Sequence, residues 1–99
     1  MAHIARMPGI IVVAMLALTA CVGAPVQEMS NARQAIRAAR DAGAEKAAPQ
    51  KLNEAEALLN RAEDSLERRA YREARRSAIA ARDKAAEALG ATQLGSNTG

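Results

Sequence analysis

Small and apolar residues recur at steps of three and four along most of this chain, which is the spacing of one face of an α-helix. The first stripe of this kind contains Met29, Ala32, Ile36, Ala39 and Gly43. The second contains Leu52, Ala55, Leu59, Ala62 and Leu66, and the third contains Tyr71, Ala74, Ala78, Ala81, Ala85 and Ala88. Charged residues occupy many of the positions between them, so the pattern predicts three amphipathic helices.

The breaks between the stripes predict where the helices end. Gly43 is a favourable stop for the first helix, and Pro49 suits the first turn of the second because its missing N–H needs no partner there. The third stripe starts five residues after Leu66 and out of register with the second. This predicts a turn near Arg68 to Ala70, although no glycine or proline marks it. The alternative is one long helix over 49–89 whose apolar stripe changes face.

These patterns predict an all-α fold, a short three-helix bundle or helical hairpin with an additional N-terminal helix. The predicted helices cover residues 28–43, 49–67 and 71–89. A short tether is expected at 21–27, and Gly90 is expected to end the third helix before a disordered tail over 90–99. Because most facing positions are alanine, the core is expected to be thin, and the chain marginally stable alone or stabilised by a partner.

A separate apolar run from Ile10 to Leu18 lies near the start of the chain, after the positively charged Arg6. The run has nine residues, far fewer than the ~20 that a membrane-spanning helix needs. A basic residue followed by a short apolar run is typical of a signal peptide. The run leads into Leu18-Thr19-Ala20-Cys21, which resembles the lipobox of bacterial lipoprotein signals. The alternatives are an ordinary secretory signal and no signal.

The resemblance to lipoprotein signals implies both the localisation of the protein and its attachment to a membrane. Residues 1–20 would be a signal peptide cleaved between Ala20 and Cys21, and the Cys21 thiol would carry a diacylglycerol. Acyl chains on that residue would hold the protein at a membrane without spanning it. Val22 is not the aspartate that resembles an inner-membrane retention signal, so the resemblance implies the bacterial cell envelope, at the outer membrane and facing the periplasm.

Length and charge narrow the class of protein. A chain of 99 residues allows one small domain. Its 14 basic and 11 acidic residues give a net charge of +3, both signs are interleaved, and Tyr71 is the sole aromatic residue. A nucleic-acid-binding surface needs a concentrated basic face, usually with aromatic side chains for stacking. We therefore expect no nucleic-acid partner.

Few residues in the sequence have the chemistry that catalysis needs. The sole histidine, His3, lies in the predicted signal, and the sole cysteine, Cys21, is expected to be lipid-modified. This excludes Ser-His and Cys-His arrangements and His or Cys metal clusters from the mature chain. Three carboxylates cluster on the predicted second helix, Glu63, Asp64 and Glu67, but arginine neighbours make surface ion pairs the expected role. We expect no enzyme activity, no cofactor and no metal.

Four segments of the helical region carry a family resemblance. They are Ala32-Arg33-Gln34-Ala35-Ile36, the run from Ala42 to Pro49, Leu52-Asn53-Glu54-Ala55 and Tyr71-Arg72-Glu73-Ala74. Over residues 28–89 the chain resembles the small envelope lipoproteins of the family termed domain of unknown function 4398. The resemblance implies a helical fold and transfers no catalytic or binding residues. That family has a Gly-Asp-like turn before the tyrosine, where this chain has Arg69-Ala70. The second and third helices also resemble one tetratricopeptide-type hairpin.

Together these observations predict a non-catalytic, lipid-anchored helical module that interacts with an envelope protein or a peptidoglycan-associated partner. The alternative is an oligomeric coiled-coil spacer similar to the major outer-membrane lipoprotein. Pro49 and the phase break after Leu66 disfavour that spacer, although a homo-oligomer stays possible. A third hypothesis is binding to anionic lipid by the densest basic stretch. That stretch contains Arg68, Arg69, Arg72, Arg75 and Arg76.

Overall fold

The computed structural model describes residues 23–98, and within that range the chain forms four helices. They are α1, Val26–Asp41; α2, Ala44–Ala47; α3, Pro49–Glu67; and α4, Tyr71–Thr98. The all-α fold class is therefore confirmed. The short α2 is a single turn in the link between the first two predicted helices, which the sequence pattern did not reveal. No helix in this range is long and apolar enough to cross a membrane.

Gly43 separates α1 from α2 because it adopts a backbone conformation that other residues avoid. Its φ of 94° is left-handed, and its N–H donates to the carbonyl of Arg40 at 2.9 Å, which closes the end of α1. Its own carbonyl accepts from the N–H groups of Lys46 and Ala47, both at 3.1 Å, and so begins α2. Pro49 begins α3, where its lack of an N–H leaves no hydrogen bond unmade.

The turn between α3 and α4 is a Schellman motif with an arginine where glycine is usual. The N–H of Ala70 donates to the carbonyl of Ser65 at 2.8 Å, and the N–H of Arg69 donates to that of Leu66 at 3.0 Å. Arg69 has a φ of 62°, a left-handed conformation that costs a non-glycine residue about 1–2 kcal/mol. The chain therefore turns at the phase break of the apolar stripes, through backbone hydrogen bonds and without a glycine.

Ion pairs between the helices show the direction in which each one runs. The pairs are Arg33–Glu63, Arg40–Glu56, Lys51–Glu87 and Lys84–Glu54, with N···O distances of 3.7, 2.6, 3.4 and 3.5 Å. The first two pairs join α1 to α3, and the last two join α3 to α4. Within each of these two sets the residue number rises on one helix as it falls on the other, so α3 is antiparallel to α1 and to α4. It follows that α1 and α4 are parallel. The start of α1, the end of α3 and the start of α4 all lie at one end of the bundle, here termed the turn end.

Alanine fills most of the core. Among the described residues, eleven of the fourteen buried apolar residues are alanines. Those on α4 have no exposed surface: Ala74, Ala78, Ala81, Ala85 and Ala88. Small side chains at such positions let helix axes approach toward the close end of the usual range of about 8–10 Å. The larger Leu58, Leu59 and Leu66 are only partly buried and pack against the edge of this core.

The predicted C-terminal tail is wrong for its described residues, 90–98. The sequence predicts an end at Gly90 and disorder over 90–99, whereas α4 continues through Gly90 to Thr98. A glycine inside a helix costs only about 0.5–1 kcal/mol, and the buried stripe of α4 continues beyond it. Thr92 follows Ala88 by four residues and is buried, and its hydroxyl donates to the carbonyl of Leu89 at 2.6 Å. These additional contacts explain why the helix does not stop at the glycine.

Candidate functional site

The predicted lipidation site lies outside the described residues. Leu18, Thr19, Ala20 and Cys21, with the cleavage position between the last two, are defined by their sequence pattern alone. The first described residue is Gly23, and a chain spans at most about 3.3–3.6 Å per residue. The predicted lipidation position is therefore no more than about 7 Å along the chain from Gly23.

The segment that follows Cys21 is packed against the turn end of the bundle. Pro25 is fully buried, and Met29, one helical turn later, lies in the core. Arg75 of α4 donates from Nη2 to the carbonyl oxygen of Gly23 at 3.3 Å. The Nε atom of the same arginine lies 3.5 Å from Oε2 of Glu28 in α1. Residues 23–25, here termed the entering segment, are therefore held by both parallel helices.

Sequence reasoning missed this contact, although the sequence contains a signal for it. Pro25 precedes Met29 by four residues and so extends the apolar stripe of α1 into the tether predicted at 21–27. The helix itself begins at Val26, inside that predicted tether. In an antiparallel bundle of three long helices, the connection between the second and third helices lies at the end where the first helix starts. This places the entering segment beside the turn between α3 and α4.

Five arginines surround this end of the molecule and are here termed the basic turn: Arg68, Arg69, Arg72, Arg75 and Arg76. Arg75 binds the entering segment, and Arg68 pairs with Asp64 at 3.3 Å between exposed side chains. The other three arginines are exposed and have no ion-pair partner within the part of the chain that the structure describes. Glu67 and Glu73 are exposed on the same segment, so the basic turn has an excess of positive charge with acidic residues among it.

A groove of about 580 Å³ runs between α3 and α4 near the turn end. Its charged residues are Arg61, Asp64, Arg68, Glu73 and Arg76, and its other lining residues are Leu58, Ser65, Ser77 and Ala80. Both serines are buried. Because residues 23–98 contain neither histidine nor cysteine, neither hydroxyl has an imidazole within this range to activate it as a nucleophile.

Two of the three carboxylates that the sequence singled out take part in exposed ion pairs, and the third, Glu67, is exposed. Glu63 pairs with Arg33 of α1 at 3.7 Å, and Asp64 pairs with Arg68 at 3.3 Å, with all four side chains about half exposed or more. Exposed pairs contribute only about 0–1 kcal/mol each. No group of three metal-ligating side chains occurs among the described residues. The two pairs therefore add contacts on α3 and between α1 and α3.

One charged cluster lies on α3 and α4, away from the basic turn. The Nζ atom of Lys84 is 3.5 Å from a carboxylate oxygen of Glu87 on its own helix and 3.5 Å from one of Glu54 on α3. The negative charge of Glu87, and to a smaller extent that of Glu54, raises the pKa of Lys84 above its ordinary value. A raised pKa means that the folded chain holds this proton more firmly than the unfolded chain does.

Comparison with known proteins identifies a family for this chain. The family described as Domain of unknown function (DUF4398) matches residues 27–97, which is most of the chain and includes all four helices except the first residue of α1 and the last of α4. No curated protein matches the chain, and no solved structure does.

Proposed function

The chain belongs to the DUF4398 family, and we propose that it is a non-catalytic helical module held at the bacterial outer membrane, on the periplasmic side, by lipid on Cys21. Its partner in this proposal is an envelope protein or a peptidoglycan-associated component. The observation that supports it best is the docking of the entering segment. No long flexible linker would separate a lipid on Cys21 from the bundle, because Gly23 is hydrogen-bonded to Arg75 and Pro25 is buried.

Such docking would orient the domain at the membrane. With at most about 7 Å between the Cα atoms of Cys21 and Gly23, the turn end would lie at the bilayer surface. The other end of the bundle, with α2 and the C-terminal half of α4, would then point away from the membrane. A fixed orientation suits a module that presents one surface to a partner in the same envelope.

The packing favours a compact module over the coiled-coil spacer. A trimeric coiled coil needs an exposed apolar seam on each helix, whereas the alanine stripe of α4 is fully covered by the chain's own helices. Among the described side chains, the exposed large apolar residues are Val26 and Leu94, at 73% and 69% exposure. Two such residues at opposite ends of the bundle make no seam. The buried stripe also means that a partner is not needed to cover the alanine face.

The attachment can be tested with a clickable palmitate analogue in bacterial cells that express the full chain. We expect label on the native protein and none on Cys21→Ala, because the thiol is the acceptor of the diacylglycerol. Cys21→Ala should also accumulate with its signal uncleaved and leave the outer-membrane fraction. Label on Cys21→Ala, or an unlabelled native chain, would refute the anchor.

The interaction can be tested by photo-crosslinking in intact cells from exposed positions on different helices, such as Arg37, Asn60 and Arg82. We expect at least one position to yield an adduct with another envelope protein or with peptidoglycan. Sedimentation of the purified domain provides the comparison with the spacer hypothesis. A rod-like trimer, with crosslinks only between copies of this chain, would favour the spacer instead.

A further inference from the structure

We propose that the basic turn binds the anionic phospholipid headgroups of the bilayer into which the lipid on Cys21 inserts. This inference rests on the proposed lipid anchor and adds a second, electrostatic contact with the same membrane. It identifies the surface that faces the bilayer and the class of lipid that this surface recognises.

The basic turn lies at the same end of the bundle as the entering segment. Arg75 binds the carbonyl of Gly23 directly, at 3.3 Å, so the arginine segment is in contact with a residue two positions after the predicted anchor. The antiparallel arrangement of α3 with α1 and α4 also brings the last residues of α3 and the first residues of α4 to that end. Arg68 and Arg69 form the turn itself and are exposed. A domain anchored through Cys21 would therefore hold them next to the headgroups.

The basic turn also has positive charge at its exposed surface. Arg69, Arg72 and Arg76 are exposed and without ion-pair partners among the described residues, so their guanidinium groups are available to phosphate. Guanidinium groups bind phosphate oxygens through paired N–H donors. A basic residue close to an anionic surface strengthens binding about fivefold. Four carboxylates lie among the five arginines, Asp64 and Glu28 as ion-pair partners and Glu67 and Glu73 as exposed neighbours, and they leave an excess of one positive charge. This small excess favours a contact that depends on an anchor over independent binding.

The burial of α4 determines the kind of contact. An amphipathic helix that inserts into lipid needs a large free apolar face, but Ala74 and Ala78 have no exposed surface because they pack inside the bundle. The basic turn therefore contacts headgroups without penetrating the acyl region. Such a contact is electrostatic, so it should weaken as salt screens the surface charge.

The chain contains its own probe for this contact. Tyr71 is the sole aromatic residue, begins α4 and is partly buried beside the basic turn, so tyrosine fluorescence reports on this end of the molecule alone. The lipidated chain is reconstituted into vesicles of phosphatidylcholine alone or with added phosphatidylglycerol, and quenching of Tyr71 by neutral acrylamide is measured. We expect quenching to fall by about twofold or more when phosphatidylglycerol is present. It should recover in about 1 M salt, where the Debye length is about 3 Å.

A matched pair of variants tests which arginines are responsible. Arg69→Gln with Arg72→Gln should abolish the dependence on phosphatidylglycerol, whereas Arg37→Gln with Arg82→Gln should keep it. Both variants remove two charges from exposed positions. The control residues lie eleven residues after the start of α1 and of α4, about 16 Å farther from the turn end. Equal effects of the two variants would overturn the proposal.

Flotation of the same vesicles separates failure of this inference from failure of the anchor. Loss of co-flotation with both lipid compositions would refute the anchor, and the headgroup contact with it. Co-flotation with equal Tyr71 quenching in the two compositions would leave the anchor intact and refute the headgroup contact. Protection of Tyr71 by purified peptidoglycan and not by phosphatidylglycerol would assign the basic turn to the cell wall and likewise overturn the proposal.

Discussion

Replacing Ala81 by leucine tests whether the alanine stripe sets the spacing of the helices. Ala81 has no exposed surface and belongs to a core cluster formed by residues of all three long helices. The other members of that cluster are Met29, Ala32, Ala62 and Ala78. Because close-packed helices leave little free volume, a larger side chain requires α1 or α3 to move away from α4. The substitution should therefore destabilise the fold although it increases hydrophobicity.

The expected magnitude follows from the cost of overpacking. Adding carbon atoms to a filled core costs about 1–3 kcal/mol, and leucine has nearly the same helix propensity as alanine, so packing accounts for most of the effect. For a domain of this size each kcal/mol corresponds to about 4–8 °C in Tm. The Ala81→Leu variant should thus melt about 4–24 °C below the native chain. Urea unfolding followed by far-ultraviolet circular dichroism measures the loss directly.

The matched control is Ala86→Leu, the same chemical change on the same helix at an exposed position. Surface substitutions of this kind change the free energy of unfolding by no more than about 0.5 kcal/mol. If Ala81→Leu were as stable as Ala86→Leu, the helices would have room to accommodate the side chain. The small size of alanine would then not be the property that determines their close approach.

Three further substitutions test local features of the fold. Arg69→Gly should raise the free energy of unfolding by about 0.5–1 kcal/mol, because relief of the left-handed strain exceeds the entropy cost of glycine. Gly43→Ala should lower it by about 1 kcal/mol, because a Cβ there meets no neighbour within 4 Å but the φ of 94° is strained for alanine. Lys84→Gln tests the dependence of stability on pH. The raised pKa of Lys84 stabilises the native chain at pH values below the ordinary 10.5. This contribution is lost as the pH rises through the folded-state pKa. Native stability should therefore fall more steeply than that of Lys84→Gln as the pH rises above 10.5.

The two substitutions that involve glycine, Arg69→Gly and Gly43→Ala, each have a control with the opposite expected effect. Arg68→Gly lies one residue before the left-handed position, at φ −82°, and should destabilise by about 0.5–1 kcal/mol. Gly90→Ala lies inside α4, where a Cβ also meets nothing within 4 Å, and should stabilise by about 0.5–1 kcal/mol. A destabilised Gly90→Ala would contradict the continuation of α4 past that residue. Identical alkaline unfolding of the native chain and Lys84→Gln would contradict the expected dependence of stability on pH.

The sequence determined the three long helices and the face that each one buries, although not the single-turn α2 or the end of α4, because the spacing of three and four is a local property of the α-helix. Met29, Ala32, Ile36 and Ala39 are buried on α1, as their stripe predicts. The register change after Leu66 marks the position where the chain turns. The sequence also restricted the chemistry, since residue types can be counted without a structure. Its lipobox prediction for Cys21 depends on sequence pattern alone.

Tertiary structure decided what local pattern could not. Arg69 takes a conformation that arginine avoids in isolation, because the packing of α3 against α4 and two backbone hydrogen bonds maintain it. The helix continues past Gly90 because Thr92 is buried against the rest of the bundle. Gly23 lies beside Arg75, 52 residues later in the chain, because antiparallel packing brings the start of α1 and the start of α4 together. Such contacts depend on how whole helices pack, so only the folded chain brings Gly23 and the basic turn to one end.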